Sequence, residues 1–79
     1  MIRLKIYANL RKEFGLNNGF MLEFNNNDKD ISIKDILDYY NVEVNKISII
    51  LVNGKPSDVN RLVKNGDIVA FFSPVAGGW

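Results

Sequence analysis

The chain has 79 residues, 47% of them apolar and 24% charged, a formal net charge of +1, and neither cysteine nor histidine. That length admits one small domain with a single core, and the missing thiols and imidazoles exclude cysteine nucleophiles, disulfides, the usual zinc ligands and the side chain best poised for proton transfer near neutrality. A charge this small gives no basic field for nucleic acid, no run approaches the roughly 18 apolar residues of a membrane span, and the alternating start Met1-Ile2-Arg3-Leu4-Lys5-Ile6 is unlike a signal peptide, so the cytoplasm is the expected compartment.

Ile2, Leu4, Ile6 and Ala8 alternate with Arg3, Lys5 and Tyr7, which predicts a strand with one buried face. A short helical turn is expected between Asn9 and Gly19, where Leu10 and Phe14 stand four apart and Gly15 ends the turn. Phe20 to Phe24 reads as a second strand, pairing with the first as a wide hairpin. After the polar loop 25–30, Ser32 is placed to cap a helix whose Ile33, Ile36, Leu37 and Tyr40 form one apolar stripe. Ile47 to Val52 is nearly continuously apolar and predicts a strand in a central position, closed by the turn Asn53-Gly54. Pro56 to Lys64 is expected to be a connector with Val59, Leu62 and Val63 turned inward. Asn65-Gly66-Asp67 is a further turn, Ile68 to Phe72 the last strand, and Pro74 its stop. Asp28, Asp30, Asp35 and Asp38 lack the spacing of a metal loop, and no metal ligands are assigned.

Strand, strand, helix, strand, strand, with one amphipathic helix to cover one face of a mixed sheet, is the order of the α+β, ubiquitin-like β-grasp fold. Its first and last strands would lie side by side in the middle. A ferredoxin-like arrangement would need a second helix, and Asp58 to Lys64 is too short and polar to supply one. The expected division is a β-grasp domain over 1–74 and a flexible tail over 75–79, Val75-Ala76-Gly77-Gly78-Trp79. Two glycines without Cβ make a thin segment that can enter a narrow channel, and they leave the Gly78 carbonyl carbon uncrowded. A carboxylate there could attack an activated phosphate, so a chain without cysteine can still carry sulfur as a terminal thiocarboxylate. Alone, a Gly-Gly dipeptide is commonplace; after the last strand of a β-grasp sequence, fold and chemistry agree.

Ile50-Leu51-Val52-Asn53-Gly54-Lys55, the turn Asn65-Gly66-Asp67 and the run Val69-Ala70-Phe71-Phe72-Ser73-Pro74-Val75-Ala76-Gly77-Gly78 resemble the MoaD family, the small subunit of molybdopterin synthase. The opening Ile6-Tyr7-Ala8-Asn9-Leu10-Arg11 is similar to that family's first strand, and the related carrier ThiS shares the fold and the Gly-Gly end. The resemblance implies a sulfur carrier without catalytic side chains of its own. A ubiquitin-activating-like adenylyltransferase of the MoeB type would use ATP to adenylate Gly78, and a sulfurtransferase system would make the thiocarboxylate. The MoaE-type large subunit would then receive the tail of Val75, Ala76, Gly77 and Gly78 and pass sulfur to cyclic pyranopterin monophosphate, for a molybdenum or tungsten cofactor. No cofactor of its own is implied.

Family members usually end at the second glycine, whereas here Trp79 follows, so a protease that removes Trp79 is expected. On the family alignment Val69 and Phe71 point into the core, while Ile68, Ala70 and Phe72 join Tyr7 on the other face; Tyr7, Phe72 and Pro74 would form the partner interface. Arg11 and Lys55 read either as partner contacts or as solvated charges. Three further readings stay open at this point: a ThiS-like donor for thiamine or another pathway, a ubiquitin-like modifier joined through Gly78 to target lysines, and a plain β-grasp interaction module whose function would survive deletion of Gly77 to Trp79.

Overall fold

The structure is a computed structural model and describes residues 1–7 and 9–74. Strand β1 (Ile2–Ile6) sends Ile2, Leu4 and Ile6 to the core and leads into α1 (Leu10–Glu13), a single turn that buries Leu10 and closes at Gly15 with a positive φ of 73°. β2 (Met21–Phe24) returns antiparallel to β1, which is the wide hairpin expected from the two apolar runs. Ser32 then caps the main helix, α2 (Ile33–Tyr39): its hydroxyl accepts a hydrogen bond from the Asp35 N–H at 3.1 Å, satisfying one of the amide groups a helix start leaves free. Ile33, Ile36 and Leu37 are fully buried against the sheet.

β7 (Ile68–Phe72) lies between β1, to which it is parallel, and β4 (Ile49–Val52), to which it is antiparallel. With β5 (Lys55–Pro56) at the far edge, the sheet runs β2-β1-β7-β4-β5. First and last strands are therefore central neighbours, and the α+β, ubiquitin-like β-grasp architecture follows. Helix α2 covers the face formed by Ile2, Leu4, Ile6, Val69, Phe71, Ile50 and Val52; Phe71 stacks on Phe14 at 5.4 Å between ring centroids.

Three expectations are corrected. β4 is interior to the sheet, between β7 and β5, but is not covered on most of its length: its burial alternates, and Ile49 stands exposed. The 56–64 segment is more than a connector. Lys55–Pro56 pairs with Val52 and Leu51, and β6 (Leu62–Val63) pairs with β3 (Ile31–Ser32) in a separate two-stranded sheet. Within that pair side chains alternate, so Val63 is buried and Leu62 is 60% exposed instead of turned inward. A 3₁₀ turn (Val44–Lys46) precedes β4.

The β4–β5 turn has Asn53 at φ 52° and Gly54 at φ 84°, as a two-residue hairpin with two positive φ values requires. Asn53 also clamps the start of β7: its Oδ1 accepts from the Ile68 N–H at 3.0 Å, and its Nδ2 donates to Asp67 Oδ1 at 3.0 Å. Partial burial pushes the Asp67 carboxyl up, but the Asn53 bond, the Lys64 N–H at 3.0 Å, and the charges of Lys64 and Arg61 outweigh it and hold the group below its ordinary value. Folding thus favours the ionised form, whose contribution is present above the ordinary carboxylate range and is lost as pH falls through the lowered value. Asp67→Asn is expected to lower the urea midpoint at neutral pH, with the difference from the parent shrinking on acidification. A difference independent of pH would contradict this account.

Candidate functional site

The carboxyl-terminal end of β7 is where the residues singled out in the sequence converge. Because β1 and β7 run parallel in the register Leu4 with Val69 and Ile6 with Phe71, alternation places Tyr7 beside Phe72 on the face that α2 leaves uncovered. The two rings stack with centroids 4.6 Å apart and planes 4° from parallel. Phe20 extends the group, 5.6 Å from Tyr7, and Ile49 sits opposite Phe72 on β4. Phe20, Met21 and Ile49 are exposed while Tyr7 and Phe72 are half-buried, so the open face carries an apolar cluster near the end of β7, and Pro74 beyond it is exposed. Sequence reasoning did not include Phe20 and Ile49 in this surface. For Ile49 the signal was present in the period-two pattern of β4, which sets it on the same face as Leu51.

The backbone is anchored at the end of β7. Ser48 donates both its N–H, at 2.8 Å, and its hydroxyl, at 3.2 Å, to the Phe72 carbonyl, and the Tyr7 N–H donates to the Phe71 carbonyl at 3.1 Å. Pro74 has no N–H to continue the ladder. The tail residues Val75, Ala76, Gly77, Gly78 and Trp79, and Ala8, lie outside the described residues. Arg11 is exposed and donates to the Gly19 carbonyl at 3.4 Å, and Lys55 is exposed on β5.

On the opposite side of the β7 terminus is a groove of about 380 Å³, lined by Leu10, Lys12 and Glu13 of α1, Asn45 and Lys46 of the 3₁₀ turn, and Ser73 with Pro74. Ser73 is 7% exposed, and its Oγ has no hydrogen-bond partner among the described residues. The groove joins residues 10, 46 and 73, far apart in the chain, and no local pattern announces it. Among the described residues no helix is long and apolar enough to cross a membrane.

A small body whose first and last strands pair in the middle of a mixed sheet under one main helix is the ubiquitin-like β-grasp arrangement. The chain belongs to the ThiS family, which it matches over residues 4–78. Among solved structures it is similar to SAMP1 from Haloferax volcanii, at 23% identity and a TM-score of 0.66 with 98% of each chain covered. It is also similar to a protein of Pyrococcus furiosus assigned as molybdopterin converting factor, subunit 1, at 22% identity and a TM-score of 0.63, covering 94% of this chain and 97% of that one. A second structure, of H. volcanii small archaeal modifier protein 1, aligns with the same identity, score and coverage as the Pyrococcus protein. At these identities the likeness is one of fold. A comparison with curated protein sequences gave no match.

Proposed function

We propose that the protein is a sulfur carrier in which residues 1–74 form the docking body and the tail presents Gly78 to partner enzymes. The observation that carries the reading is the coincidence of a ThiS-family match running through Gly78 with a β7 strand whose anchored end stands at the rim of the Tyr7–Phe72 surface. Cleavage of the Gly78–Trp79 bond exposes the glycine carboxylate. One of its oxygens attacks the α-phosphorus of ATP in an activating enzyme of the MoeB type and pyrophosphate leaves; hydrosulfide, sulfur at the sulfide level from the sulfur-donating system, then attacks the acyl carbon of Gly78, the acyl–oxygen bond to AMP breaks, AMP leaves and the proton goes to solvent, giving the thiocarboxylate. The "SPVAGG" run formed by residues 73–78 favours molybdopterin synthesis, with a MoaE-type large subunit as the receiving partner and the catalytic side chains on the partners.

The docking body contributes binding energy through the aromatic surface. Stacked, partly exposed rings at the edge of a concave partner are the kind of anchor that dominates association. Phe72→Ala is expected to weaken binding to the large subunit by about 2 kcal/mol, the scale of a single anchor residue, while urea unfolding stays cooperative. Calorimetric titration of the purified pair checks this; unchanged affinity would remove Phe72 from the interface, and loss of cooperative unfolding would make it a core residue.

The carrier reading is tested by reconstituting the Gly78-ended chain with activating enzyme, ATP and a sulfur donor, and measuring thiocarboxylate. Recovery of Gly78 in isopeptide linkage to lysines of other proteins, with no sulfur gained on the free chain, would favour the modifier reading instead.

A further inference from the structure

The two edges of the five-stranded sheet are guarded unequally. β5, at one edge, consists of Lys55 and Pro56, a charge and a residue without an N–H, and both deter further strand pairing. β2, at the other edge, is four residues long, contains neither lysine nor proline, and is entered through Phe20; Phe20 and Met21 are both exposed. An edge of that kind is a template for another strand.

The ladder fixes which groups β2 offers. The Arg3 N–H donates to the Asp67 carbonyl at 3.1 Å and the Tyr7 N–H to the Phe71 carbonyl, so the odd residues of β1 turn their backbone groups toward β7. The Ile6 N–H donates to the Phe20 carbonyl at 2.6 Å, so the even residues turn toward β2. In the antiparallel register of Ile2 with Phe24 and Leu4 with Leu22, the hydrogen-bonded residues of β2 are therefore 20, 22 and 24. Met21 and Glu23 aim both their N–H and C=O groups away from the sheet, and among the described residues no backbone group meets them.

The geometry points to a homodimer in which this edge pairs antiparallel with the same edge of a second copy, about a two-fold axis at Leu22. Met21 of each copy then faces Glu23 of the other, and each such pair exchanges its N–H···O=C bonds. Charge and backbone select that register. A shift of two residues one way sets Glu23 opposite Glu23, and like charges directly opposite destabilise. A shift the other way brings Glu23 opposite Gly19, whose φ of 72° lies outside the extended region a ladder needs. In the selected register each Glu23 lies between Arg3 of its own β1 and Met21 of the second copy, so columns of Arg3 and Lys5 flank both carboxylates. The pairing also brings the exposed Phe20 of each copy across from Phe24 of the other, whose ring meets the exposed Tyr39 edge-on at 5.4 Å. Because the contact is isologous it uses the β2 edge of both copies, leaves only the guarded β5 edges of the joined sheet, and so closes at two. The end of β7 lies two strands away, and the dimer does not depend on the carrier reading.

Sedimentation equilibrium of the full chain at rising concentration tests this. The weight-average mass is expected to move from 9.0 kDa toward twice that value and to stop there. Amide exchange followed by NMR on the same samples should slow at Met21 and Glu23 as the dimer fills, whereas Leu22, bonded to β1, is protected at every concentration. Met21→Lys, facing Glu23 of the second copy, should lower the dimer Kd, and Met21→Glu should raise it. Each change should be about two- to thirtyfold, the combined effect of two symmetry-related cross-strand charge pairs. Position 21 is exposed, and circular dichroism checks that both variants fold. A mass of 9.0 kDa at every concentration would overturn the proposal, as would growth past the dimer, new protection at Lys55 in place of Met21 and Glu23, or the same response to both Met21 variants.

Discussion

Phe71→Ala is expected to cost about 3–5 kcal/mol of folding stability, the range found when a buried Phe is truncated and its cavity only partly collapses. Phe71 is fully buried at the middle of the sheet, opposite Ile6 on β1 and Ile50 on β4, with Phe14 stacked on it from the α1 side. None of these neighbours can close over the gap without moving a strand or α1. At roughly 0.05–0.15 kcal/mol per residue, a domain of 79 residues has about 4–12 kcal/mol in total, so this one change removes about a quarter or more of it. Urea unfolding followed by circular dichroism should show a sharply lowered midpoint with an unchanged slope. A loss below about 1 kcal/mol, the level of an ordinary surface change, would mean that Phe71 does not anchor the core.

The second large effect concerns the tail. In ATP–pyrophosphate exchange with the activating enzyme, the chain ending at Gly78 should be turned over, and the chain continuing to Trp79 should be slower by at least about 10²-fold, the penalty of displacing a reacting group by an ångström or more. The reason is positional. With Trp79 attached, no carboxylate exists at Gly78, and any carboxyl further along lies at least one residue away from the α-phosphorus. Equal exchange by the two forms would show that Trp79 need not be removed.

Much of the body was legible in the sequence because its signals are local. The alternation of Ile2, Leu4 and Ile6, the Ser32 cap three residues before Asp35, the Asn53-Gly54 turn and the Ile68–Phe72 strand are each decided by a few neighbouring residues. The parallel pairing of β1 with β7 followed from the fold, and it places Tyr7 against Phe72 as the alignment implied. Leu62 was misread because apolar character alone does not say which face a residue takes when its strand partner, Ile31–Ser32, is itself only two residues long. β5 was hidden by Pro56, whose missing N–H is tolerated at the sheet edge it occupies. The groove beside Ser73 was invisible for a different reason: α1, the 3₁₀ turn and the end of β7 meet only in the folded chain. Gly77 and Gly78 are singled out by composition and resemblance and lie outside the described residues; the role proposed for them rests on chemistry that a partner completes.

The central claim, that Gly78 is the atom-bearing end of a sulfur carrier, is tested most directly by intact-mass measurement of the protein isolated from its native host during active sulfur-cofactor synthesis. The account predicts a chain ending at Gly78 with one oxygen of its carboxylate replaced by sulfur. A chain that still continues through Trp79, with no sulfur gained, would contradict it.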